Sequence, residues 1–589
     1  MAGERHSAGE FATTTLSGSR LKPMSARALH FHTYFLFPFS IDKQAVRLSH
    51  NDMWPKNRRW LEGLDGWITT HSAERAGGLV NHLGHWKRDS YTRFDFDSQA
   101  YQDMVFFHPI MRRIFFDIQV ETSKSEEGLL HCYVMSPPAG ATIWFEARDT
   151  GGHESTVAIT DLRLFMFANG MGILSIGVEA YDRLTSEVLW INESLRKVYP
   201  SSAQQVREGR IPCDFSWTLE RDGCRTILVQ DTEVARHAEM KGALPPLTRT
   251  ITAPLYFLDY SDEEFEPVLD ERMVIYSYVA IDPATVPEGF RDSEEYQILL
   301  SRILYVDRHG ECYRYSPDFT RDAMRRQLYT RWAHKGTYYG YTSYSGIAVT
   351  LGIVRRDLGN FNAPDLIHRM FTTRHYMMSL VALFYRATLL DFAERTALIS
   401  KTLYIDQWDG ELSVENIKVT DGLRAEFLHF SSHWYFTELA NKDEESEHFD
   451  LQCQQYRVEV IHKEVAEELD ALNASLHNYH QFRNTEALNR LGMLSMILGA
   501  GAVITGFFGM NFQIDSFTEG LLKGRPGFMW APYLAIGVAT LTCFGAIVFG
   551  MFLVTGNWSD YKDTLMPNRW KASSVRQRLL KKHPVTQLK

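Results

Sequence analysis

From about residue 30 to 355, apolar and polar residues alternate in short runs bounded by turn residues, a pattern that predicts strands. Tyr34-Phe35-Leu36-Phe37-Pro38-Phe39 is one such run. Leu162–Phe167 and Ile173–Val178 flank Asn169-Gly170, which predicts a hairpin closed by a type I′ turn. Ile143–Glu146, Ile227–Gln230, Met273–Val279 and Ile303–Asp307 read as further strands, and Ser186–Tyr199 as an interspersed helix. Near residue 364 the period becomes helical. His375–Leu403 and Glu415–Leu439 read as long helices, and the acidic stretch Lys442–Glu447 as a solvated turn. A third helix starts near Gln452, with apolar residues at Val458, Ile461, Val465, Leu469, Leu472, Leu476 and Tyr479 in steps of three and four. Continued to Met510 it is 59 residues long, roughly 90 Å at the helical rise.

The end of the chain has a different pattern. Residues 491–514 are 24 uncharged residues, and a second uncharged run extends from Pro526 to Ser559. About 20 apolar residues cross a bilayer, so both runs are predicted spans. The tail 560–589 holds eight Lys/Arg, whereas Asp515, Glu519, Lys523 and Arg525 cancel in the loop between the spans. Positive residues stay inside, so both termini are expected in the cytoplasm of a multi-pass protein of the plasma or inner membrane. The predicted order is a disordered N-terminus (1–29), an α+β cytoplasmic domain (30–363), a long helical stalk (364–487), a first span (488–511), an external loop (512–528), a second span (529–556) and a basic tail (557–589).

Composition narrows the function. The chain has 589 residues, 45% of them hydrophobic, and a net charge of −10. With a pI near 6.1, no nucleic-acid partner is expected. A mean hydropathy of −0.25 excludes a chain made mostly of membrane helices. Six scattered cysteines give neither a disulfide framework nor a Cys-x-x-Cys zinc site. Phosphate-binding loops, serine nucleophile elbows and His-Glu-x-x-His are all missing, so no enzyme is expected. His82 and His85, and His477 and His480, have ligand-like spacing but read as ordinary exposed histidines.

The first span ends Gly509-Met510-Asn511. The tripeptide alone is weak evidence. At the outer end of the first of two C-terminal spans, after a very long helix and a large α+β domain, it resembles the signature of the CorA superfamily of divalent-cation transporters. That resemblance implies a homopentameric funnel in the lipid bilayer. Five copies of the first span would line the pore, with Gly509, Met510 and Asn511 as the ion-selecting ring at its mouth. Neutral amide oxygens suit an ion that gives up its hydration shell reluctantly.

Counting back from Asn511, the family's pore positions fall on Leu488, Leu491, Ser495, Gly499, Ala502 and Gly506. The small side chains of Ser495, Gly499, Ala502 and Gly506 leave room for a hydrated ion. A competing stripe, Met493, Ile497, Ala500, Ile504 and Phe507, would block it. Leu488 and Leu491 would form an inner hydrophobic constriction able to gate by dewetting. The prototypes' Met-Pro-Glu loop is missing, and the nearest loop carboxylates are Asp515 and Glu519. Asp470 lies near the family's acidic stalk position and is the preferred regulatory-metal candidate, ahead of Asp262, Glu263, Glu264 and Asp443–Glu447. The expected cargo is Mg²⁺, with Co²⁺ and Ni²⁺ as further substrates and no other cofactor. The alternatives are a ZntB-like Zn²⁺ transporter and a ligand-gated membrane sensor or effector built on the same hairpin.

Overall fold

The computed structural model describes residues 26–42, 57–70, 78–89, 105–117, 128–201, 211–232, 246–269, 272–308, 315–355, 365–409 and 414–509, with isolated positions between 534 and 548. The chain divides into two compact units. Met1–Ala393 with Glu426–Glu464 makes the first, and Glu394–Ala425 with Val465–Lys589 the second.

The first unit is built on one mixed sheet. In spatial order its strands are β11 (Leu328–Tyr329), β12 (Thr337–Tyr341), β13 (Ser345–Leu351), β10 (Val274–Ile281), β1 (Arg27–Ile41), β6 (Met171–Leu184), β5 (Glu154–Phe167), β4 (Ala141–Asp149), β7 (Pro212–Arg221) and β8 (Cys224–Thr232). Three short strands lie off this path. β3 (Leu130–Val134) pairs β5, β2 (Lys87–Arg88) pairs β3, and β9 (Phe265–Pro267) pairs β1. β10 and β13 run parallel; the other described pairs are antiparallel.

β1 sits at the centre and begins at Arg27, inside the stretch expected to lack structure. Nearly all of it is buried on both faces, which its unbroken aromatic and aliphatic run allows. Side chains alternate across a strand. On one face Thr33 donates to Asn192 Oδ1 at 3.0 Å and meets Ser277 Oγ at 2.7 Å, while Asn192 Nδ2 reaches the same Ser277 at 3.2 Å. This buried trio anchors the helix Thr185–Leu195. On the other face His30, His32 and Tyr34 meet the helices Leu366–Thr372 and Arg374–Asp409 through His368, Phe371 and Tyr376. Pro38, which cannot donate to a ladder, lies just past the end of the β10 pairing at Leu36. Aromatic rings of β1 cover glycines opposite them, Phe39 over Gly172 and Tyr34 over Gly177.

Four local expectations need correction. The 162–178 hairpin forms, but its loop is the three residues 168–170, and Gly170 alone takes a positive φ, 97°. A type I′ turn needs two such residues; one suffices for a three-residue loop. Ile303–Asp307 is not a strand but the end of a helix, Glu294–Tyr305. Ser293 caps that helix by accepting from Tyr296 N, and Tyr296, Leu299, Leu300, Ile303 and Leu304 bury one face. The acidic stretch is the first turn of a helix, Asp443–Gln455. Finally, the continuous rod from Gln452 is broken. Arg457 sits in the left-handed region at φ 55°, and a separate helix of 52 residues runs from Val458 to Gly509.

One helical stretch of the described residues, Leu366–Tyr404, is long and apolar enough to cross a membrane, but 78% of its apolar window is buried inside the protein. Leu380, Val381, Ala382, Leu383, Phe384 and Tyr385 are all at most 2% exposed. It is a core helix of this fold.

Candidate functional site

The long helix Val458–Gly509 changes character along its length. Val458, Val465, Leu469 and Leu476 are buried, each at most 3% exposed. They mark the inward seam of the heptad pattern. Farther on, Leu488, Leu491, Leu494 and Leu498 are 67%, 59%, 54% and 64% exposed. Apolar side chains bared in such a row are unusual on a surface that only water meets.

The six residues assigned to the pore, Leu488, Leu491, Ser495, Gly499, Ala502 and Gly506, are all helical and all exposed in the single chain. Their steps of three and four put them on one side of the helix. A Cβ added at Gly499 or Gly506 would meet nothing within 4 Å. Gly509 is the last residue of the helix. Met510, Asn511, Asp515 and Glu519 lie outside the described residues, as does most of the second span, where Leu534, Val538, Leu541, Phe544 and Val548 are helical and exposed.

Asp470 projects into solvent, and its Oδ1 lies 3.5 Å from Arg424 Nη2 on the helix Val414–His429. Among the other carboxylate candidates, Glu264, Glu444, Glu445 and Glu447 are engaged within the protomer. Glu445 is fully buried, paired with Lys442 at 3.0 Å and Arg374 at 3.5 Å. Trp332 Nε1 donates to Glu444 at 2.6 Å, and Tyr329 and Arg331 hold Glu447. Glu264 accepts from the backbone of Asp259. The acidic stretch is thus tied to the β11–β12 edge of its own sheet. His85 lies 2.9 Å from Tyr256 Oη, and His477 3.0 Å from Gln481.

Residues 430–549 match the family model described as CorA-like Mg²⁺ transporter protein. This segment belongs to the CorA superfamily. The match takes in the helix Asp443–Gln455, the whole of Val458–Gly509 and most of the second apolar run. No curated protein matches the chain. CorA-like proteins are membrane transporters, and the match suggests divalent metal ion transport.

Sequence reasoning missed one convergence of metal-type ligands. His30 and His32 of β1, Glu179 of β6 and His368 of the helix Leu366–Thr372 bring their ligand atoms within 4.8 Å of one another. The available signal was the His-x-His pair on a strand, since alternate residues share a face. Nothing local pointed to His368, 336 residues away from His32 in the chain.

Proposed function

We propose that this protein carries divalent cations, Mg²⁺ first among them, into the cytoplasm through a pore lined by five copies of the helix Val458–Gly509. The observation that carries the reading is the CorA-like match over residues 430–549. The small-residue stripe Ser495, Gly499, Ala502 and Gly506 supports it by leaving room for a hydrated ion. Asn511 is assigned to the outer ring, where amide oxygens hold the ion's water shell. Leu488 and Leu491 are assigned to the inner constriction. The membrane potential supplies about 2.3 kcal/mol per charge per 100 mV, or roughly 4.6 for a divalent ion, so no nucleotide is needed.

The test is isotope uptake into proteoliposomes holding the full chain. Asn511→Ala is expected to abolish or sharply reduce Mg²⁺ uptake; unchanged uptake would remove Asn511 and its helix from the pathway. Competition between Mg²⁺ and Zn²⁺ in the same assay separates the Mg²⁺ reading from a ZntB-like one.

A further inference from the structure

We propose that His30, His32, Glu179 and His368 form a binding site for one transition-metal ion of the Zn²⁺ class, set in the α+β unit.

The sheet register builds the site. In the antiparallel pairing of β1 with β6, His32 stands opposite Glu179 and His30 opposite Tyr181. His30 and His32, two residues apart on one strand, face the same way. The helix Leu366–Thr372 lies over that face and supplies His368. His30 Nε2 lies 2.6 Å from Glu179 Oε1, and His32 Nδ1 lies 2.9 Å from His368 Nε2. The rings of His30 and His368 are 4.2 Å apart.

Two features mark this as more than a packed polar core. A neutral imidazole carries one N–H and one lone pair. His32 uses Nδ1 toward His368, and its Nε2 is buried with no partner. Whichever tautomer it adopts, a polar atom is stranded where desolvation is costly. Burial also holds the imidazoles in the state a metal needs. It lowers His32 to about 3 and His368 to about 4. Burial would raise Glu179, but hydrogen bonds from His30 and Tyr181 outweigh it and hold that carboxyl at about 2. His32 and His368 are therefore neutral imidazoles beside an ionised Glu179 at neutral pH.

That donor set selects the ion. Imidazole suits Zn²⁺, Co²⁺, Ni²⁺ and Cu²⁺, whereas Mg²⁺ takes oxygen ligands. Ligands about 2.1 Å from a tetrahedral ion stand about 3.4 Å apart, so the His30–Glu179 pair needs to open by about 0.8 Å and the His32–His368 pair by about 0.5 Å.

Supporting contacts are in place. Tyr181, stacked on His30 at 4.5 Å, donates to Glu179 Oε1 at 2.6 Å. Asp365 Oδ1 accepts from the backbone N–H of Ile367 and His368, fixing the turn that carries His368. Tyr278 donates to the other oxygen of Asp365. Such outer contacts orient ligands in metal sites. Tyr181 is 63% exposed at the rim, giving the ion a way in. The proposal does not depend on the transport reading, because the CorA-like segment supplies none of the four ligands.

The experiment is a Co²⁺ titration of the metal-stripped full chain in detergent, read by visible absorption. A single Co²⁺ per chain with a tetrahedral spectrum is expected, displaced by one equivalent of Zn²⁺ and untouched by a large excess of Mg²⁺. The double variant H32N/H368Q is expected to lose the band with its circular dichroism unchanged. Should that variant misfold, Tyr181→Phe, a conservative change at the rim, is expected to weaken Co²⁺ binding about tenfold. Asn511→Ala should leave the band as it is. No band in the wild type, an unaltered titration in both variants, or loss of the band in Asn511→Ala would overturn the assignment.

Discussion

Arg424 and Asp470 approach to 3.5 Å, linking the helix Val414–His429 to the long helix Val458–Gly509. Their side chains are 39% and 74% exposed. An exposed pair of this kind contributes less than about 1 kcal/mol. Asp470→Asn should therefore leave thermal stability nearly unchanged, so that an effect on gating can be read cleanly. If Asp470 binds regulatory Mg²⁺, Arg424 competes with that ion for the carboxylate. Asp470→Asn is then expected to raise the Mg²⁺ concentration that closes the pore, and Arg424→Ala to lower it. Inside-out patch currents across a Mg²⁺ titration measure both. Midpoints that stay together would remove Asp470 from regulation.

Gly499 and Gly506 offer a test of the pore face. Neither has a neighbour within 4 Å of an added Cβ, and glycine inside a helix costs about 1 kcal/mol relative to alanine. Gly499→Leu should thus fold and assemble normally while filling the pathway. Uptake is expected to fall at least tenfold with an unchanged size-exclusion profile. Normal uptake would place the pathway on the other face.

Gly172 makes the opposite prediction. A Cβ there would lie 2.3 Å from the Phe39 ring. Gly172→Ala is expected to destabilise the central β1–β6 pair by about 1–3 kcal/mol, seen as a lower urea midpoint for the α+β unit.

Acid should loosen the first unit through His448. Burial, with Arg331 and Lys442 nearby, lowers this histidine from 6.5 to about 3. It is enclosed by Tyr329, Tyr339, Tyr341 and His375. Below its ordinary pKa the unfolded chain takes up a proton that the native state refuses. Its contribution is complete above pH 6.5 and declines toward pH 3, by about 1.4 kcal/mol per pH unit for the one group. Replacing it, His448→Gln, should reduce that slope by about one proton in urea titrations over the same range. An unchanged slope would mean that other groups govern acid sensitivity.

Arg374 closes the set. It lies 3.5 Å from the fully buried carboxylate of Glu445, whose remaining partner is the half-exposed Lys442. Arg374→Ala should cost about 3 kcal/mol by leaving that charge underpaired, measured as a drop in Tm. Arg374→Lys should recover part of it.

Signals within one element were legible from the chain. The Asn169-Gly170 hairpin, the helix at Thr185 and the long helix at 374–409 follow from local period and turn chemistry. Long-range pairing was not. Nothing near Glu445 indicates that Arg374 will cover it, so a run of six charged or polar residues reads as solvated when one of them is the most buried carboxylate of the helix. The strand assigned to Ile303–Asp307 erred for a local reason: a short apolar run has no distinctive period, and its helix is declared upstream by Ser293, Glu294 and Glu295. The stripe proposed for the pore was assigned from spacing alone, since one helix face needs nothing else. The histidine cluster draws on two strands and a helix, so its ligands are neighbours only once the sheet exists.

The outer half of the long helix is bare along Leu488, Leu491, Leu494 and Leu498, and this makes its stability a matter of mass action. The turns up to Leu476 are held by the chain's own side chains. On the proposed pore reading, the burial beyond them comes from another copy or from lipid, so its free energy depends on protomer concentration and on the lipid-to-protein ratio. Dilution in detergent should therefore lower the protease resistance of this half well before it affects the sheet.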